Sequence, residues 1–504
     1  MARRIVLMAR ARTGRREMSK GKAAKDKSTK ESQKDKSHKK SHKDELTKKG
    51  HKKGQSKSDK KKQASASASV DAATKMVDKK TGKKGDQPND PITCAEHGVW
   101  TDITQVKHPP ANQQPLEFSS VDPDEDKNIL SSGKMSFAMV GCSGDPTSGT
   151  NTQAVAMAIS SDKDLSFFYH LGDIIYTVSG SDTDGSTPVK PYSHALWDNQ
   201  FFRPYAMFRK KIFAIAGNHD GKYTEKIEAL RDFFRFFCSD TVEPPRGDKH
   251  RRKVNQPYIY WSLNTPYAYI IGLYSNIANG GILDKPSQYT TANFTDGPQY
   301  KWLVTELQNA AAMKQPNGKP KAVLLTVHYP PYSGAANFNV RGDQSKGGPG
   351  TKRNHPAKPN NYNVPYLAQA LQQAFQDGGK RPDAIFSAHA HLFQRLTYKF
   401  ARGPAMPCLV VGCGGHSPLE KLFKACDGSK ATKETAPFPA VLPGSYQLPG
   451  DDSAQVEYYD DQGNLGRFGY LKVTVDAKKQ VLTCQFMGVK KGKAVSLDTQ
   501  TIAI

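Results

Sequence analysis

Asp173 lies within the run FFYHLGDIIY (167–176), in which apolar and aromatic residues give way to Gly172 and an acid. A carboxylate presented where a buried strand ends is well placed to hold a ligand. Four more runs end in the same manner: MSFAMVGCSGD (135–145), KIFAIAGNHD (211–220), KAVLLTVHYP (321–330) and DAIFSAHAHL (383–392). Each delivers a potential metal ligand, and Cys142, Asn218, His219, Asp220, His328, His389 and His391 come from widely separated stretches. Imidazole suits zinc, iron and manganese, and the Asn218 amide offers a neutral hard oxygen. A carboxylate has two oxygens, so Asp173 is the strand-end acid suited to bridge two cations. Such a pair lowers the pKa of a shared water towards neutrality and clamps the attacking and leaving oxygens of a phosphoryl group. His389 and His391, two residues apart, are expected to project both rings from one side of an extended segment.

Positioning these side chains requires parallel strands whose carboxyl ends share one rim, and a single sheet is expected to supply it. Strand one at 135–141 and the Asp173 strand are joined by an expected helix at 151–161, a βαβ unit. YSHALWDNQFFRPYAMF (192–208) reads as a helix with Trp197 in the core, and an amphipathic helix is expected over about 223–238. PYIYWSL and YAYIIGLYSN, joined by a short turn, read as a hairpin, and helices follow at 299–312 and 364–377. PCLVVGCGGH, FGYLKVTVD and VLTCQFMG are expected in a second sheet, with a loop-rich insertion at 418–462. The fold class expected is α/β, two sheets sandwiched between helices.

GDIIY (172–176), GNHD (217–220), LTVH (325–328) and AHAH (388–391), with QYKWL ahead of the third, resemble the metallophosphoesterase (calcineurin-like) family and its purple acid phosphatase branch. The resemblance covers roughly residues 135–485 and implies an αββα sandwich over 134–504. It implies an enzyme with two metal ions (Fe, Zn or Mn) that hydrolyses phosphate monoesters by attack of a metal-bridging hydroxide. Asp173 would bridge, Asn218, His328 and His389 would complete one site, and Tyr176 and His391 would serve the other. His219 would protonate the leaving alkoxide or hold the phosphate, with Asp220 orienting it.

Two departures from the family pattern stand out. The slot read as GDxG in the family is VGCSG here, so Cys142 replaces an acid; Ala388 replaces the glycine of GHxH. Three readings of Cys142 compete: a metal-bound thiolate, a vacancy filled by Asp145, or a weak or empty first site with a buried thiol. The alternative functions are a metal-depleted binding module and a phosphodiesterase or nucleotidase using the same ligands. His170 reads as an interior histidine. His416, in GCGGH, reads as loop structure, with approach to the rim as the other reading. Arg341, Lys346, Lys352 and Arg353, on the long stretch 333–362, read either as a grip on a phosphate dianion or as a solvated basic loop.

Composition separates a tail from the fold. Residues 1–90 hold 29 Lys and Arg against 11 Asp and Glu, which is +18 of the net +25. With almost no aromatics, they are expected to be a disordered Lys-rich tail, followed by an extended lead-in at 91–133. The tail reads as a solvated basic arm or as a tether to a polyanion, nucleic acid or an anionic surface; the absence of interleaved aromatics gives base stacking no support. Salt-dependent binding that is lost on deleting 1–90 distinguishes these. No apolar window reaches transmembrane length, and MARRIVLMARARTGRREM lacks the continuous apolar run of a secretory signal; its first sixteen residues, Arg-rich and free of acids, read as a transit peptide or as residues ahead of a start at Met18. Seven cysteines, an odd number in a long chain, resemble no disulfide framework, so a reducing, cytoplasmic location is expected.

Overall fold

The computed structural model describes residues 114–146, 148–176, 197–220, 230–238, 256–275, 295, 297–331, 333, 367–399, 403–420, 453–459, 467–490 and 493–504. The expected tail, the expected loop residues 334–362 with Arg341, Lys346, Lys352 and Arg353, and the first part of the helix expected at 223–238 lie outside these.

β3 (Leu165–His170) shows why this chain makes a layered fold. Its six residues are all buried, so both faces of the strand must be covered. Alternation sends Phe167 and Tyr169 one way, where Phe167 stacks on Phe137 at 4.6 Å and Tyr169 on Trp261 at 5.9 Å. Phe168 and His170 face the other way, against Tyr205 at 5.0 Å and Phe201 at 6.1 Å. The flanking β2 (Lys134–Val140) and β4 (Lys211–Ala214) both run parallel to β3.

Two sheets result, and the fold is mixed α/β as expected. A six-stranded sheet has β4, β3 and β2 followed by β12 (Gly469–Asp476), β13 (Val481–Lys490) and β14 (Lys493–Ala503). An eight-stranded sheet begins β1 (Leu116–Glu117), β5 (Trp261–Asn264), β6 (Ala268–Leu273), β7 (Ala322–Val327), β8 (Ala384–Ser387). It continues with β10 (Met406–Val411), β9 (Phe393–Lys399) and β11 (Ser453–Tyr459). β6, β7, β8 and β10 are parallel, while β5 and β6 form the expected hairpin. The sheets meet through Tyr169, whose hydroxyl is 3.0 Å from Thr326 Oγ1, and through Phe393 stacked on Phe486 at 3.9 Å.

The helices lie where crossovers demand them. α1 (Phe118–Val121) and α2 (Pro123–Ser132) precede β2, and α3 (Thr150–Ser161) joins β2 to β3. α4 is Arg231–Phe237, α5 (Pro298–Ala312) leads to β7 and α6 (Leu367–Asp377) to β8. α5 buries Trp302, Leu303 and Leu307 as its periodicity predicts.

Several expectations need correction. The end of the lead-in is helical, because Asp122 caps α2 by accepting from the Glu125 amide at 3.3 Å and Pro123 opens it. PCLVV belongs beside β8 and not beside β12 and β13, which extend the first sheet through β2. Within 418–462 lies a strand, β11. Residues 198–202 form one π turn followed by turns instead of a continuing helix, though Trp197 is fully buried as expected.

Candidate metal centre

The rim is built by two sheets, not one. Asp173 and Asn218 follow β3 and β4 of the six-stranded sheet, while His328 and His389 follow β7 and β8 of the other. Backbone hydrogen bonds join the two sets of strand ends. Gly141 N–H donates to Val411 O at 2.9 Å and Gly414 N–H to Gly141 O at 3.1 Å, while the bond from Ala388 N–H to His328 O at 3.0 Å links two strand ends of the eight-stranded sheet. On the six-stranded side, Cys142 N–H reaches Gly172 O at 2.9 Å. Such chain density requires glycine at Gly217: a Cβ there would collide with Asp173 Oδ1 and lie 2.8 Å from His328 Cε1.

Asp173 sits at the centre, fully buried. Its Oδ1 accepts the His219 amide at 2.8 Å. Its Oδ2 accepts the Tyr176 hydroxyl at 3.0 Å and lies 3.3 Å from His328 Nε2. Burial opposes ionisation of this carboxyl, but the charges of His328, His219 and His389 outweigh it and hold the carboxyl well below the usual range. The converse holds at His328, where burial lowers basicity but the Asp173 charge raises it above the ordinary imidazole value.

Two groups of donors flank that carboxylate. On one side His328 donates from Nδ1 to Leu171 O at 2.8 Å, so Nε2 faces the site with Asn218 Oδ1 3.1 Å away. The His389 ring lies 5.2 Å from that of His328. On the other side the Tyr176 hydroxyl is 3.1 Å from His391 Nε2. Burial, then the neighbouring His416, pushes His391 down to about 3. Cys142 Sγ lies 3.9 Å from Asp173 Oδ2, and together with His328 the three ligand atoms fall within 4.8 Å of one another. Oxygen, nitrogen and sulfur atoms converging in a buried space form a donor set that fits divalent metal ions.

Backbone strain is concentrated at the same place. Among the described residues four non-glycines have positive φ, and three are Cys142 (53°), Asp173 (55°) and His389 (61°). Left-handed backbone costs such residues of order 1–3 kcal/mol each and persists where the surroundings impose it. It also corrects the expected geometry of 389–391: the segment bends, so its two rings reach different neighbours instead of projecting in parallel.

Asp220 Oδ1 accepts from Ile174 N–H at 2.9 Å and its Oδ2 from Gly217 N–H at 2.8 Å, so the carboxylate ties two strand-end loops together. Burial, then the Asp173 charge, raises it to about 7. Asp145, the other candidate for the Cys142 slot, accepts from the Ser148 amide at 3.4 Å and hydroxyl at 3.0 Å. His170 is interior as expected, 2.7 Å from Ser143 Oγ and accepting from Gly172 N–H at 3.1 Å. Cys408 and Cys413 are buried.

Sequence reasoning undervalued three residues. His416 stacks on Tyr176 at 3.6 Å and 14°, held by Nδ1 at 3.0 Å from Gly144 O. It follows β10 in a Gly-Gly-His run, the same strand-then-ligand pattern that identified the others. Gln200 clamps the Tyr176 backbone, donating to its carbonyl and accepting from its amide, each at 2.8 Å. The Tyr329 ring lies 4.3 Å from His389.

A family model for calcineurin-like phosphoesterases matches residues 139–393. No curated protein matches the chain. Among solved structures it is similar to the purple acid phosphatase PPD1 from yellow lupin (Lupinus luteus) seeds, at 14% identity over 73% of this chain and 54% of that one, with a TM-score of 0.44. It is also similar to GAP50, the anchor in the inner membrane complex of Plasmodium, at 13% identity over 74% and 89%, with a TM-score of 0.40. PhoD matches at 13% identity over 72% and 68%, again with a TM-score of 0.40.

Proposed function

Because the chain belongs to the calcineurin-like phosphoesterase family, we propose that it is a metal-dependent phosphoesterase that hydrolyses phosphate monoesters with two ions, Fe, Zn or Mn. The observation that carries this reading is the convergence on the buried Asp173 carboxylate of His328 from one side and Tyr176 from the other, at 3.3 and 3.0 Å.

Asn218, His328 and His389 would hold one ion and Tyr176 and His391 the other, with Asp173 shared and Cys142 Sγ within reach of the Asp173 and His328 ligand atoms. When bound, such ions activate water near neutral pH and neutralise charge on the phosphoryl oxygens. The chain's own residues do the rest. The His219 amide is fixed to Asp173 and its ring lies 4.2 Å from that of Tyr176, beside the carboxylate. From there the imidazole delivers a proton to the leaving alkoxide oxygen. Asp220 keeps the GNHD loop against the Asp173 loop, and His416 braces the Tyr176 ring.

A second reading is a metallophosphoesterase-like binding module with little turnover, favoured by one observation: a thiol at Cys142 where the family pattern has an acid. The same ligands would also serve a phosphodiesterase or nucleotidase. Attraction of a polyanion to the basic residues 1–90 accompanies either reading. The five described cysteines are free thiols, and no helix among the described residues is long and apolar enough to cross a membrane; a reducing, cytoplasmic setting remains part of the proposal.

Elemental analysis of the purified full-length chain, with turnover of alkyl and aryl phosphate monoesters, tests the proposal. Two ions per chain with hydrolysis is the expected result. Bound metal without turnover of any phosphoester would favour the binding module.

A further inference from the structure

We infer that Cys142 is a thiolate ligand that tunes this centre towards thiophilic ions, zinc, cobalt(II) or iron(II), and away from manganese and magnesium. The inference rests on the metal-dependent reading above and concerns which ions that site takes.

The geometry is that of a ligand and not of a spare core thiol. Sγ shares a space within 4.8 Å with an Asp173 oxygen and a His328 nitrogen, all three residues buried. A tetrahedral ion with ordinary zinc–sulfur and zinc–oxygen bond lengths separates two such donors by about 3.6 Å, close to the 3.9 Å between Sγ and Asp173 Oδ2. The positive φ of Cys142, 53°, belongs to the same strained rim as Asp173 and His389. Moreover the His389 amide donates to Sγ at 3.1 Å. An N–H aimed at sulfur stabilises negative charge there and leaves other lone pairs for a cation.

Exchanging a hard carboxylate for a soft sulfur changes selectivity more than it changes capacity. Manganese and magnesium prefer oxygen, whereas thiolate favours zinc, cobalt and iron. Ligation is balanced by loss of one proton: the Sγ–H bond breaks, the proton goes to buffer, and the sulfur electron pair binds the ion. Asp145, the carboxylate three residues on, is engaged with Ser148.

The test is cobalt(II) titration of the full-length chain, of Cys142→Ser and of Cys142→Asp, reading bound metal and the near-ultraviolet thiolate-to-cobalt band. Because the chain has seven cysteines, the difference between wild type and Cys142→Ser assigns the band. A band in wild type that is missing from both variants is expected. Cys142→Asp should retain ions and shift zinc-over-manganese preference towards manganese by on the order of tenfold. If wild type binds cobalt but its spectrum equals that of Cys142→Ser, thiolate ligation is wrong while the metal centre stands. A wild-type chain that takes up no cobalt overturns both.

Discussion

The His389 amide donates to Cys142 Sγ at 3.1 Å. This bond ties the end of β8 in the eight-stranded sheet to the end of β2 in the six-stranded one. The rim is therefore a seam between sheets, and small residues on either side of it set how closely the two can approach. Function and packing meet at that seam, and each can be perturbed separately.

The packing side is tested at Gly141 and Ala388. A Cβ on Gly141 would collide with the Ala388 Cβ and lie 3.1 Å from Gly172 O. Gly141→Ala should cost about 1–3 kcal/mol, and adding Ala388→Gly should recover part of it. Urea midpoints of the single and double variants measure this; an equal cost in both backgrounds would contradict direct contact.

Further from the seam, Phe486 is fully buried and stacks on Phe393 across the sheets at 3.9 Å and 5°. Phe486→Ala should destabilise by about 3–5 kcal/mol, read as a lowered denaturation midpoint. A loss below about 1 kcal/mol would mean that the sheets do not rely on this contact.

His219→Ala tests proton delivery. An alkoxide needs protonation to leave, whereas p-nitrophenolate does not, so the two substrates should respond differently. Alkyl phosphate turnover should fall about 10²–10⁴-fold with metal content unchanged, and p-nitrophenyl phosphate turnover should fall less. Equal losses on both would assign His219 to phosphate binding.

Burial pushes His170 from 6.5 down to about 3. Between those values the unfolded chain binds a proton that the folded chain refuses. Stability from this group is therefore complete above pH 6.5 and is lost as pH falls towards 3. His170→Gln should remove up to about 1.4 kcal/mol per pH unit from the slope of stability against pH in that window. An unchanged slope would show that the ring is already protonated in the fold.

Much of this centre was legible because strand-ending ligands leave a local mark. An apolar run that stops at Gly-Asp, Asn-His-Asp, Val-His or His-Ala-His needs no partner to be noticed. What the sequence hid is relational. Nothing in a β-branched run tells which sheet it joins, so the expected single rim and the placement of PCLVV both failed. The loop-tying bonds of Asp220 were hidden for the same reason: a carboxylate's acceptors look identical in sequence whether they serve an imidazole or the amides of Gly217 and Ile174. His416 carried the right pattern, but a loop after Gly-Gly gives no hint that it folds back onto Tyr176.

The central claim is that one carboxylate holds the cations together. Equilibrium dialysis of the wild-type chain and Asp173→Asn against zinc, with circular dichroism to verify folding, tests it most directly. Two ions bound by wild type and both weakened together in a folded Asp173→Asn is the predicted result; a folded variant that keeps two ions at wild-type affinity would contradict the account.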